Sequence, residues 1–304
     1  MIECILFLMP KKILMKKIPF FLIAYWLFAC NTPPEQKILT ITKQELKDKI
    51  AGGWAGKMIG VTYGAPTEFR YQQRINEDSI KWVPGDIKGS IWQDDIYVQL
   101  TFMMTMDKYG MDAPAIKYQE LLAKAGYHLW CANLQARKNY FDSIYPPLSG
   151  NPEYSFRADD IDFQIESDYI GFMNPGMIQN VIDESEKIGH IMNYGDGVYG
   201  GIFVGALYSV AFFESDILKI IETALNAIPA ESGYARIVRD VIKLHKQYPN
   251  DWKAAWKELD AKWGEVDISG AGSTFNIDAT LNGAFILMGL LYGDAMEYKT
   301  LEIT

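Results

Sequence analysis

The chain has 304 residues, 49% of them hydrophobic, and a formal net charge of −9, so it is long enough for one large domain or two small ones. Residues 1–29 contain four lysines and one glutamate, which leaves the remainder with a net charge of −12. A surface of that charge repels phosphate backbones, so no nucleic-acid partner is expected.

The N-terminus has the pattern of an export signal. Four lysines between residues 11 and 17 precede an apolar run, 18–29, that is too short to span a bilayer. The run ends before Cys30 in a sequence that resembles the bacterial lipoprotein cleavage box. We therefore expect residues 1–29 to be a signal peptide, Cys30 to be lipidated and 30–40 to be a tether. The protein is then expected in the bacterial cell envelope, on the periplasmic or outer-membrane face, with the lipid anchor as its membrane contact. A cysteine buried in a hydrophobic helix is the alternative.

The domain proper, 41–304, is predicted to be all-α. It opens with a capping box, Thr42 to Glu45, followed by apolar residues at helical spacing. The predicted bundle is compact, multi-helix and orthogonal, with about ten helices. Glycines in its apolar runs are expected to permit close helix packing. Besides the first helix and one beginning near residue 96, helices are predicted from Pro114 to about Gly126, from Asn174-Pro175, at 200–213 and 215–228, from Ser232 through His245, and at 251–262 and 279–292.

Two long polar connections, near 62–92 and 142–173, are predicted to be irregular. Loops of more than about 15 residues inside a compact domain are more often functional than not, so the site is expected there. The second connection contains an acidic segment, for which solvated surface and pocket wall are both open readings. Its members are Asp159, Asp160, Asp162, Glu166 and Asp168.

Asp94 and Asp95 stand side by side at the start of an apolar helix that closes with Lys108 and Gly110. Adjacent carboxylates repel each other, so a fold keeps them where solvent, a helix N-terminus or a cation offsets the repulsion. Helix capping and cation binding both remain open on this evidence.

Three ordered features resemble the ADP-ribosylglycohydrolase family, including its dinitrogenase-reductase-activating type, from about residue 43 onward. The first is the glycine-rich stretch 53–60 followed by Gly-Ala-Pro-Thr-Glu at 64–68. The second is the aspartate pair. The third is the glycine-rich helix near 200–206 followed by the stretch 216–232.

The resemblance implies a fold that binds two magnesium ions and hydrolyses the glycosidic bond at the anomeric carbon of ADP-ribose. It assigns metal ligation to Gln93, Asp94 and Asp95, and catalysis or gating to Glu68. The expected partner is a small-molecule or protein-linked ADP-ribosyl or related ribosyl substrate, bound through an N- or O-glycosidic bond.

The same resemblance places substrate contacts at Gly64, Asn193, Gly195 and Asp196, near the ribose or its phosphates. For Asp196, a turn or helix-capping role is an equally open reading.

The chain departs from the family pattern at several positions. Lys57 stands where a carboxylate is common, and Gln93 stands where threonine is usual. The second ligand group of the family, Gly-x-Asp-x-Asp before a final small-residue helix, is expected after a segment like 283–303, and the sequence stops at Thr304. A C-terminally truncated domain without this ligand set is the resulting expectation.

Two other functions remain open. One is a metal-free α/α glycosidase that uses Glu68 with Asp94 or Asp95. The other is a lipoprotein that binds glycans or nucleotides without turnover, using its eight tryptophans and eighteen tyrosines for stacking. Cys131, with no second cysteine nearby, is interpreted as a small core residue.

Overall fold

The computed structural model describes residues 38–71, 74–264 and 277–293. Within these ranges its regular secondary structure is helical, apart from one isolated bridge between Asp160 and Asp278. The all-α prediction is confirmed. Two 3-10 helices cover Pro84–Trp92 and Leu148–Gly150. The α-helices are α1 (Lys43–Gly64), α2 (Asp94–Tyr109), α3 (Ala115–Lys124), α4 (Cys131–Phe141), α5 (Asp162–Glu166), α6 (Asp168–Met173), α7 (Ile178–Gly189), α8 (Asp196–Ala211), α9 (Ile217–Leu225), α10 (Gly233–Gln247), α11 (Trp252–Trp263) and α12 (Ala279–Gly293).

Local sequence signals set most of the helix starts. The backbone N–H of Glu45 donates to Thr42 Oγ1 at 3.2 Å, and the Thr42 N–H donates to the Glu45 carboxylate at 3.0 Å, which confirms the predicted capping box. Ser232 caps α10 through the Ala235 N–H at 3.0 Å. The start predicted at 174–175 is wrong, because α7 begins three residues later.

Three of the described α-helices lie where no helix was predicted. The helix α4 was missed, and α5 and α6 occupy part of the connection expected to be irregular. The last two have only five and six residues, too few to show a helical period. They are held by burial of large side chains, among them Phe163 and Tyr169. Tertiary packing, rather than local propensity, explains their formation.

The glycine-rich helix α8 lies at the centre of the fold, against α5, α6, α7, α9, α10 and α12. A Cβ at Gly201 would lie 2.3 Å from the Phe163 ring, and one at Gly283 would lie 2.1 Å from Tyr234 Oη. Close helix packing at these glycines is therefore confirmed. One hydrophobic cluster surrounds Phe203 and Tyr234, and a second surrounds Phe102.

Several expectations concern residues outside the described ranges. They are the signal peptide at 1–29, the lipidated Cys30, most of the tether, and the second ligand group after 283–303. Among the described helices, none combines the length and the apolar character that a membrane span needs.

Candidate active site

The aspartate pair occupies the N-terminus of α2. Gln93 precedes the helix, and its side chain makes no capping hydrogen bond. Asp94 and Asp95 are the first two helical residues, and both are half-buried. Burial and then repulsion from Asp95 raise the pKa of Asp94, although backbone N–H groups of the first turn oppose the shift. The helix terminus thus offsets only part of the repulsion between the carboxylates.

Glu68 is an exposed residue in the turn after α1, and its charge interacts with the charges of the aspartate pair. Partial burial, followed by repulsion from Asp94 and Asp95, raises the pKa of Glu68. Because such repulsion falls with distance, these three carboxylates form one group. Gly64, the last residue of α1, is exposed and has open space where a Cβ would point.

Lys57 reaches from α1 into the same region. Its Nζ lies 3.4 Å from Asp95 Oδ1 and 3.0 Å from Asp168 Oδ2, and it donates to the Ile165 carbonyl at 2.6 Å. The side chains of Lys57 and Asp168 are 11% and 3% exposed. Burial alone lowers the pKa of Lys57, but attraction to Asp168 and Asp95 outweighs it and the net shift is upward. A fixed positive charge therefore contacts the aspartate pair.

Two buried carboxylates, Asp162 and Glu166, lie one helical turn apart on α5. Asp162 Oδ1 accepts from the Asn133 backbone N–H at 2.8 Å, and Glu166 Oε1 accepts from the Asn133 side chain. Burial raises the pKa of Asp162 to about 7, and repulsion from Asp94 contributes. Glu166 Oε2 is buried without a hydrogen-bond partner among the described residues. The solvated-surface reading of this acidic segment is wrong.

A third group contains Cys131. Its Sγ and one carboxylate oxygen each of Asp160 and Asp162 lie within 4.8 Å of one another. Asp160 is fully buried, and Arg157 Nη1 lies 3.5 Å from its Oδ2. Burial, followed by repulsion from Asp162, raises the pKa of Asp160 to about 8, and burial raises that of Cys131 to about 12. Cys131 is thus a half-buried neighbour of two carboxylates, which corrects its interpretation as a plain core residue.

Asn193, predicted to contact substrate, is fully buried and bonds to the backbone at 158–163. Its side-chain nitrogen donates to the Ala158 carbonyl at 2.9 Å and to the Asp160 carbonyl at 2.7 Å. Its side-chain oxygen accepts from the Phe163 N–H at 3.0 Å. Asn193 therefore holds the segment that carries Asp160 and leads into α5.

Gly195 and Asp196 begin α8. Gly195 has φ +53° and ψ −126°, a conformation that favours glycine. The Asp196 carboxylate accepts a hydrogen bond from the Tyr234 N–H at 3.0 Å. Tyr234 lies in the first turn of α10, so this contact agrees with the helix-capping alternative for Asp196. Burial, followed by repulsion from Asp196, raises the pKa of nearby Asp159 to about 6.

We call Asp94, Asp95, Asp162 and Glu166 the acidic cluster. Carboxylate oxygens are the ligands that Mg²⁺ prefers, and a cation would offset both the burial of these groups and their mutual repulsion. The unpartnered Glu166 Oε2 is a buried acceptor that such an ion would satisfy. Among the described residues, the ligand atoms that lie within 4.8 Å of one another are those of Cys131, Asp160 and Asp162, and not those of the acidic cluster. The donor chemistry of the acidic cluster therefore fits a divalent cation.

Exposed aromatic rings adjoin the site in sequence. The side chains of Trp92, Trp130 and Phe156 are 78%, 59% and 61% exposed. Trp92 precedes Gln93, and Trp130 precedes Cys131. Such rings offer stacking surfaces to a base or a sugar.

A surface groove of about 210 Å³ lies elsewhere, lined in part by Met106, Met111 and Met173. None of its lining residues belongs to the acidic cluster. We place the site by its ionisable groups rather than by the size of this groove, because chemistry at a sugar needs positioned acids and bases.

A family model described as ADP-ribosylglycohydrolase matches residues 42–302. The chain belongs to the ADP-ribosylglycohydrolase family. The curated proteins and the solved structures give no match to it. The family is one of metal-dependent hydrolases that cleave glycosidic bonds in ADP-ribosylated substrates, so the aspartate pair, Glu68 and the acidic cluster lie in a glycosidic-bond hydrolase.

Asn133, which links Asp162 and Glu166, was not predicted from the sequence. The spacing of those two acids by four residues indicates a shared helix face and was a usable signal. No local signal identifies Asn133, because it lies 29 and 33 residues away in sequence. The contact of Lys57 with Asp168 also depends on the fold alone.

Proposed function

We propose that this protein hydrolyses an ADP-ribosyl or related N- or O-glycosidic bond with magnesium at the acidic cluster. The observation that carries the proposal is the position of Glu68 beside a half-buried aspartate pair, in a chain of the ADP-ribosylglycohydrolase family. Asp94 and Asp95 would hold the metal with Glu166, one of whose oxygens has no hydrogen-bond partner among the described residues. The side-chain oxygen of Gln93 is a further ligand in this proposal.

When bound, the metal supplies positive charge that orients the ribose hydroxyls and the attacking water. Glu68 accepts a proton from that water as it adds to the anomeric carbon. The bond to the leaving nitrogen or oxygen breaks, and the leaving group takes up the proton that Glu68 received, which returns Glu68 to its ionised form. The raised pKa of Glu68 suits this role, since a base is most effective when its pKa is near the working pH.

The remaining predicted residues take supporting roles in this proposal. Gly64 and Gly195 allow close approach of substrate to the backbone, because neither carries a Cβ. Asn193 and Asp196 position the segments at 158–163 and 233–234 rather than contacting the ribose. Trp92 and Trp130 offer their exposed faces to the base or the aglycone.

The test is release of product from a panel of ADP-ribosyl N- and O-glycosides, with Mg²⁺ and with EDTA. Glu68→Gln and Asp94→Asn are expected to lower kcat by about 10²–10⁴-fold. Asp107→Asn, an exposed change on the same helix, is the matched control. Turnover that survives EDTA would favour the metal-free glycosidase. Binding without turnover, unchanged by Asp94→Asn, would favour the binding lipoprotein.

We also propose that the protein is anchored in the bacterial envelope through Cys30. Support comes from the lysines, the short apolar run and the cleavage-box pattern at 11–30. Cys30→Ala is expected to prevent incorporation of labelled fatty acid and to move the protein out of the membrane fraction. If Cys30→Ala still incorporated labelled fatty acid and stayed in the membrane fraction, the proposed anchor would be refuted.

A further inference from the structure

Oxygen atoms surround the Lys57 ammonium, as they would surround a bound metal cation. Three oxygens surround its Nζ: Asp95 Oδ1 at 3.4 Å, Asp168 Oδ2 at 3.0 Å and the Ile165 carbonyl at 2.6 Å. The ammonium donates a hydrogen bond to the Ile165 carbonyl and forms ion pairs with the two carboxylates. The three oxygens come from α2, from α6 and from the end of α5, and the ammonium therefore links these elements to α1.

The two ends of the aspartate pair have different surroundings. Asp95 Oδ1 lies 3.4 Å from the Lys57 ammonium, whereas Asp94 forms no ion pair with a described lysine, arginine or histidine. Glu166 keeps one buried oxygen without a hydrogen-bond partner among the described residues. A positive charge is therefore in direct contact with Asp95 and acts on Asp94 only from a greater distance.

We propose that the Lys57 ammonium is a built-in cation that replaces one of the metal ions, so that the site binds a single divalent ion on the Asp94 side. This inference rests on the proposed function, because it concerns the same metal site. A second ion ligated by Asp95 or Asp168 would lie within a few ångströms of the ammonium, and like charges at that distance repel strongly. The Lys57 side chain is 11% exposed and its ammonium donates to the Ile165 carbonyl, so it is held beside both carboxylates.

The experiment counts Mn²⁺ ions bound per chain by electron paramagnetic resonance, with Mg²⁺ as competitor, in the full chain. Wild type and Lys47→Met, an exposed lysine on the same helix, are expected to bind one ion. Lys57→Met frees the Asp95 and Asp168 carboxylates and is expected to bind two. Two ions in wild type, or one in Lys57→Met, would overturn the proposal.

A second comparison does not depend on the folding of Lys57→Met. In the wild-type background, Asp94→Asn is expected to weaken Mn²⁺ binding at least a hundredfold, while Asp95→Asn, whose carboxylate is shared with the Lys57 ammonium, is expected to weaken it about tenfold. Equal losses in both variants would overturn the single-ion site. No ion in wild type or in any variant would instead refute the magnesium dependence in the proposed function, and this inference with it.

Discussion

Burial of Asp162 makes the stability of the metal-free protein depend on pH in an unusual direction. Its pKa rises from an ordinary 3.8 to about 7 in the folded chain, mainly because of burial. Between these values the folded state binds a proton that the unfolded state has released, so stability falls as pH rises. At about 1.4 kcal/mol per pH unit over roughly three pH units, the loss is at most about 4 kcal/mol.

The substitution Asp162→Asn tests this reasoning, because the amide oxygen keeps an acceptor for the Asn133 N–H at 2.8 Å and the charge is removed. In EDTA, the variant is expected to be more stable than wild type at pH 8 and close to wild type at pH 4. Urea unfolding followed by tryptophan fluorescence across that range measures the difference. Asp107→Asn, exposed on α2, controls for the loss of one negative charge.

Two outcomes would refute the reasoning. One is a wild-type stability that rises steadily from pH 5 to pH 8 without metal. The other is an Asp162→Asn protein whose pH dependence matches that of wild type. Addition of Mg²⁺ to wild type is expected to flatten the decline toward pH 8, because ion binding favours the ionised carboxylates.

Two further predictions concern packing around the site. Gly283→Ala would place a Cβ 2.1 Å from Tyr234 Oη and is expected to lower the free energy of unfolding in urea by about 1–3 kcal/mol. The control, Gly52→Ala, adds a Cβ with nothing within 4 Å on an exposed helix face and is expected to raise it by about 0.5–1 kcal/mol. A Gly283→Ala protein as stable as wild type would contradict the close packing at Gly283. Asn193→Ala removes three hydrogen bonds to 158–163 and is expected to cost at least about 3 kcal/mol in the same assay. If Asn193→Ala instead kept full stability and lost only substrate affinity, direct substrate contact would replace the positioning role.

Local signals in the sequence predicted much of the helical framework. The capping box at Thr42 and the Ser232 cap act between residues three apart, so they can be identified without the fold. The short helices α5 and α6 escaped prediction for the opposite reason. Their stability comes from burial, which depends on what packs over them.

Some residues of the candidate site were likewise predictable from the sequence, and others were not. Asp94 and Asp95 were identifiable from the sequence, because two carboxylates at a helix start are a local pattern. The resemblance to the family added Glu68, whose pKa is raised partly by repulsion from both aspartates. The environment of Cys131 was not predictable, since its neighbours Asp160 and Asp162 lie about thirty residues away in sequence.

The sequence by itself determined the helical class, the family and the aspartate pair, since these depend on residue order and short-range hydrogen bonds. Only the tertiary structure decided that the acidic segment is buried, that Asn193 holds it in place, and that Lys57 contacts Asp95. Lys57 meets the Ile165 carbonyl across 108 residues of chain. Desolvation and charge pairing over such separations arise only when packed helices exclude water, which is why residue order alone does not predict them.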